Sequence, residues 1–145
     1  SYLEIQQFRY QDILDYEIQM DEEIYGYIIP KLTLQPLVEN ALYHGIKNKR
    51  GKGKILITGK KQGDKIIFQV IDNGKGMTEE ELNSLRKKMA GTDTGDEAKG
   101  FGVSNVNQRI KYYYGEEYGV FFESKENEGT NATIIIAAKN IQLLS

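Results

Sequence analysis

The chain of 145 residues has no cysteine, no tryptophan, one histidine and two prolines. The absence of cysteine excludes disulfides, thiolate metal sites and cysteine nucleophiles, and fits a reducing compartment. With His44 as the only histidine, a histidine-cluster metal site is excluded too. No apolar run approaches the roughly 20 residues needed to span a bilayer. No signal peptide is visible, because Ser1 opens directly into "YLEIQQFRYQDILDY". An excess of one charge is missing as well. With 19 basic and 21 acidic residues the formal net charge is −2, so no overall field recruits nucleic acid or an anionic membrane. The chain opens without Met and in mid-pattern, which predicts a piece of something longer.

What is present suits one globular domain: 39% hydrophobic and 28% charged residues, on a chain long enough to bury a core. Residues 2–14 read as a short amphipathic helix, and "YEIQM" alternates like a strand. "TLQPLVENALYHGIK" is the strongest helix. Leu34, Leu37, Val38, Ala41, Leu42 and Gly45 share one face, Thr33 is positioned to cap it, and Pro36 is tolerated in the first turn. A basic loop of Lys47, Lys49, Arg50, Lys52 and Lys54 leads to two alternating runs, "ILITGKK" and "KIIFQVID", joined by the turn "QGD". "TEEELNSLRKKMA" is a helix with a Thr78/Glu81 capping box, acids in its first turn and bases in its last. "GTDTGDEAKG" has no periodicity and predicts a mobile loop. "VSNVNQRIKYYYG" is a helix with Val103, Val106 and Ile110 inward and Gly115 as its stop. Two closing strands, "YGVFFESK" and "TNATIIIAA", flank the turn "ENEG". The predicted architecture is α+β: a two-layer sandwich of one mixed sheet with helices covering one face.

Three stretches carry the candidate chemistry. In "VIDNGKGM" a strand ends at Asp72, followed by Gly74 and Gly76. Asn-Gly after a strand signals a hairpin, but the next element here is a capped helix. The glycines then serve close approach to a flat ligand or positive φ, and the Asp72 carboxylate can accept a hydrogen bond from an exocyclic amine such as that of adenine. In "KGFGVSN", Gly100 and Gly102 precede a helix, whose free N–H groups and positive dipole end suit a phosphate. It is neither a dinucleotide fingerprint nor a P-loop, since the third glycine and the Gly-Lys-Ser/Thr are absent. In the third stretch, Asn40, His44 and Lys47 form a polar line along a helix, and an Asn carbonyl is a hard ligand suited to Mg2+. Asn40 reads equally as a solvated helix residue, His44 as a surface or satisfied histidine, and the basic run as a solvated loop or, near an anion site, as a guide for a triphosphate.

The order of these stretches resembles the ATP-binding fold shared by histidine kinases, type II topoisomerases, the Hsp90 chaperone and the mismatch-repair protein MutL. "YLEIQQFRYQD", "LQPLVENALYHGI", "DNGKGM" and "GFGVSNVNQRI" narrow it to sensor histidine kinases of the LytS/YesM type, over essentially the whole chain. The resemblance implies ATP and Mg2+ as cofactors. It implies that Asn40 holds Mg2+ and that Asp72 recognises the adenine amino group, with Gly74, Gly76 and Met77 in the same box. Lys99, Gly100, Phe101, Gly102, Val103 and Asn105 match the second glycine box and its flank, beside the phosphates. Thr130 matches the threonine supporting adenine from the last strand. Residues 77–99 match an ATP lid, expected to be mobile without nucleotide. Residues 1–14 match the end of a dimerisation helix and 15–145 the ATP-binding domain.

Three departures qualify the likeness. Where related kinases carry Lys, this chain has Tyr43, and His44 or a basic residue of the 47–54 loop, such as Lys47, is the candidate replacement for the phosphate contact. Where ATPase branches place a water-activating Glu there is Pro36; the adjacent Glu39 is read as solvated, which favours transfer over hydrolysis. The family's phosphoacceptor histidine lies upstream and is not His44. The function implied is transfer of the ATP γ-phosphate to that histidine and onward to a response regulator, in a homodimer, on the cytoplasmic side of a membrane sensor. The chain alone is expected not to phosphorylate itself. Two alternatives stay open: a hydrolysing ATPase of the same superfamily, and a degenerate interaction module that no longer binds nucleotide, for which Tyr43 is the support.

Overall fold

The computed structural model describes residues 14–22, 34–42, 53–90 and 102–138. The expected helix over 2–14, the Thr33 cap and the basic loop before Gly53 lie outside the described residues, except that Leu14 itself begins a strand.

Alternation and turn chemistry build the sheet. Strand β1 (Leu14–Met20) is followed by helix α1 (Gln35–Asn40), then by β2 (Gly53–Gln62) and β3 (Lys65–Asp72). Gly63, with φ +60°, makes the tight turn of the β2–β3 hairpin. Helices α2 (Glu79–Met89) and α3 (Gly102–Tyr114) follow, then β4 (Gly119–Lys125) and β5 (Gly129–Ala137). Among the described residues, five strands stand in the order β1-β2-β3-β5-β4. Only the β1–β2 pairing is parallel, as a crossover carrying α1 requires; the other three are antiparallel. The sheet is mixed and the class α+β, as the sequence predicts.

Every second residue of β3 faces inward: Ile66, Phe68, Val70 and Asp72 are all buried. Against them pack Leu37 and Val38 of α1, Leu82 and Met89 of α2, and Val103, Val106 and Ile110 of α3. Each such side chain taken fully out of water contributes about 1.5–3 kcal/mol before entropy is counted. The N-cap position of α1 is Leu34, which makes no side-chain cap; Pro36 stands in the first turn as expected. Helix α2 has the predicted capping box: Thr78 N donates to Glu81 Oε1 at 3.0 Å and Glu81 N to Thr78 Oγ1 at 3.1 Å.

Two buried polar side chains of α3 secure the far end of α2. Ser104 Oγ donates to the Lys88 carbonyl at 3.0 Å. Asn107 Nδ2 donates to the Met89 carbonyl at 2.9 Å, and its Oδ1 accepts from Val120 N at 2.8 Å. Arg86 Nη2 adds a bond to the Phe122 carbonyl at 3.0 Å. Val120 and Phe122 therefore turn their backbone polar groups away from β5, toward helical side chains. An Asn107→Ala variant should lose about 2–4 kcal/mol in urea denaturation, because it strands a buried carbonyl and a buried N–H together. A loss below about 0.5 kcal/mol would show that water satisfies both groups.

Candidate nucleotide site

One row of the sheet defines the site. Ile55, Asp72, Thr130 and Ser124 are direct cross-strand neighbours on β2, β3, β5 and β4, on the face turned toward the helices. Strand alternation would fill the Asp72 position with another Ile or Val. A carboxylate stands there instead, only 6% exposed. Burial pushes its pKa from 3.8 up to about 6, although the backbone N–H groups of Gly74 and Thr130 bond the ionised form and oppose the shift. The Gly74 bond is 2.8 Å long.

The loop after Asp72 is held from both sides. Toward β2, Lys54 N donates to Asn73 Oδ1 at 2.7 Å and Asn73 N to the Lys54 carbonyl at 3.2 Å. Toward the β4–β5 turn, Asn127 N donates to the Lys75 carbonyl at 2.6 Å and Met77 N to Ser124 Oγ at 2.9 Å. Gly76 has φ +67°, and a Cβ there would overlap the Lys125 carbonyl oxygen. Gly129 has φ +100°, and its Cβ would overlap the Asp72 carbonyl oxygen. Only glycine fits either place.

These elements border an open-sided cavity of about 530 Å3. Asn40 at the end of α1, Asp72, Gly76, Met77 and Thr130 all line it, so five of the residues singled out in the sequence come together. The other wall is α2, through Glu80, Glu81, Ser84, Leu85 and Lys88, with Lys75 at the loop. Gly74 is buried and acts through its N–H on Asp72. Gly102 begins α3, where a Cβ would touch Pro36 at 3.4 Å; Val103 is core; Asn105 is exposed. Those three do not line the cavity. His44, Lys47, Lys99, Gly100 and Phe101 lie outside the described residues, as does Tyr43.

Of residues 77–99, expected as an ATP lid, 79–89 are the predicted capped helix, with Leu82 and Met89 buried and both ends bonded, and 91–99 lie outside the described residues. One expectation needs correction. Glu39 is not simply solvated; it is half-buried and its Oε1 accepts from Gln35 Nε2 at 3.1 Å, one turn earlier. The sequence reading also missed the cavity wall on α2 and the hydroxyl of Ser124. The wall had a signal, since Glu81, Ser84, Leu85 and Lys88 recur at helical spacing directly after the glycine loop. Ser124 had none, because a lone Ser in a strand is unremarkable.

Asp72, Thr130 and Asn40 share the lining of one cavity. Among the described residues no group of three or more His, Cys, Asp or Glu side chains could hold a metal ion. A single amide oxygen fits Mg2+ that takes its other ligands from water and phosphate.

Comparison with known proteins defines the class. The chain belongs to the histidine kinase-, DNA gyrase B- and HSP90-like ATPase family, whose model matches residues 30–140. Among relatives, it is 35% identical to the sensor histidine kinase YesM of Bacillus subtilis, over 96% of this chain and 22% of YesM. It is 30% identical to the sensor protein LytS of Staphylococcus saprophyticus, over 98% of this chain and 23% of LytS. The chain thus spans less than a quarter of the length of these two curated relatives. The fold is also that of the catalytic domain of histidine kinase ThkA, with a TM-score of 0.66 at 20% identity, over 94% of this chain and 88% of that one. No helix of the described residues is long and apolar enough to cross a membrane.

Proposed function

We propose that this chain is the ATP-binding catalytic domain of a two-component sensor histidine kinase. The carrying observation is the buried carboxylate of Asp72 in a cavity that Asn40 and Thr130 also line. Asp72 accepts a hydrogen bond from the adenine amine, Thr130 flanks it, and Asn40 supplies an amide oxygen to Mg2+. Bound Mg2+ would offset phosphate charge. The chain's own part is to orient the nucleotide and hold the ring against the buried Asp72 carboxylate. The acceptor is a histidine on an upstream dimerisation segment, and a response-regulator aspartate follows it. The sensor works as a homodimer, with this domain on the cytoplasmic side of a membrane.

Calorimetry with ATP and ADP, with and without Mg2+, tests the reading. The chain should bind both nucleotides. An Asn40→Ala variant should weaken Mg2+·ATP by about tenfold, the size of one lost polar contact, and leave metal-free ADP unchanged. Absence of any heat or thermal shift with either nucleotide would favour the interaction module instead.

A further inference from the structure

The hydroxyl of Ser124 lies at the meeting point of three polar groups. Met77 N is 2.9 Å away, the Gly129 carbonyl oxygen 2.9 Å, and Thr130 Oγ1 2.9 Å. A serine hydroxyl has one proton and two lone pairs. Met77 N–H can only donate, so it occupies one lone pair. The Gly129 carbonyl can only accept, so it takes the single proton. All three contacts are satisfied together only if the Thr130 hydroxyl gives its own proton to the second lone pair of Ser124.

That assignment reaches the ligand. Thr130 lines the cavity beside Asp72, to which it is the direct cross-strand neighbour. With its proton committed to Ser124, Thr130 has only lone pairs left to offer. We infer that Ser124, which does not line the cavity, is a specificity-determining positioning residue: it fixes Thr130 as an acceptor, so the site favours a 6-aminopurine nucleotide over a 6-oxopurine one. This rests on the nucleotide-binding reading above and adds a residue to it. A ring carbonyl at that position would meet oxygen lone pairs from both Asp72 and Thr130. Such a mismatch is penalised far more than the loss of an apolar contact.

The test is titration of the chain by calorimetry with ADP and with inosine diphosphate, which carries a carbonyl in place of the amine. The wild-type chain should prefer ADP. In Ser124→Ala the Thr130 proton is released and can turn toward the ligand, so the preference should narrow by about tenfold, the size of one neutral hydrogen bond. Ser124→Thr keeps the hydroxyl and should keep the preference. In a Thr130→Val background, Ser124→Ala should leave the ratio unmoved. A merely structural Ser124 would lower stability and both affinities alike, and an unchanged ratio in folded Ser124→Ala would overturn the inference while leaving the binding reading intact. Should Ser124→Ala fail to fold, Thr130→Val alone decides. Narrowed preference supports an accepting Thr130; widened or unchanged preference refutes it. No binding of either nucleotide by the wild-type chain would remove the underlying reading itself.

Discussion

Replacing Asp72 by asparagine should weaken ADP binding about 100-fold and, at pH 8, raise the melting temperature of the domain. Both effects follow from one buried charge. Asp72 must supply acceptors to the N–H groups of Gly74 and Thr130 and to the ligand amine. A carboxylate meets that demand with two oxygens; an amide has one oxygen and an NH2 that would face a donor. Stability moves the other way because burial disfavours the charge. The folded pKa, about 6, lies above the ordinary 3.8, so the native state holds the proton more tightly than the unfolded chain. The contribution of Asp72 to stability is therefore complete below pH 3.8 and is lost as pH rises through 6. A shift of that size corresponds to roughly 3 kcal/mol. The variant has no such window, so its advantage should be largest above pH 6 and fade toward pH 4. Thermal melts at pH 4 and pH 8, with ADP titrations of both proteins, check this. Equal melting temperatures at pH 8 would mean that Asp72 is better solvated than its burial implies.

The Gly129→Ala variant should lose about 4 kcal/mol or more, a large part of the stability of a domain this size. At φ +100° an alanine is strained before any neighbour is considered. Its Cβ would also run into the Asp72 carbonyl oxygen and lie 3.0 Å from Asn73 Cα, both backbone atoms of the adjacent strand end. Neither can yield without breaking the β3–β5 register that sets Asp72 beside Thr130. Gly63→Ala is the internal control. It shares a positive φ, at +60°, but nothing lies within 4 Å of the added Cβ, so about 1 kcal/mol should be lost. Urea denaturation of the two variants separates strain from collision. A Gly129→Ala loss no larger than that of Gly63→Ala would mean that the hairpin can lift away from the loop.

Much of this was legible beforehand, for identifiable reasons. In "KIIFQVID" the polar Gln69 fixes which alternate residues face out, and so sends Asp72 inward. Thr78 and Glu81 announce the start of α2 through local chemistry alone, and the bonds form as expected. The asparagine helix and the glycine loop could be paired only through a resemblance, because nothing local says that Asn40 and Asp72 will share a cavity. Longer-range contacts were silent. Asn107 sits two residues beyond the candidate Asn105, yet Asn107 is the buried one, holding Met89 and Val120. Helical phase separates the two, and a shift of two positions reverses the face. Ser124 is 47 residues from the Met77 N–H it accepts from, a partnership set by the turn of β4 against the glycine loop.

The outermost strand of the sheet has a consequence for behaviour in concentrated solution. On β4, the Val120 amide and the Phe122 carbonyl are already taken by Asn107 and Arg86. A foreign strand seeking to extend the sheet would have to evict both side chains before its first ladder bond formed. At the opposite border, β1 presents the exposed acids Asp15 and Glu17. Among the described residues, both border strands thus resist fibrillar growth, one with plugs and the other with charge.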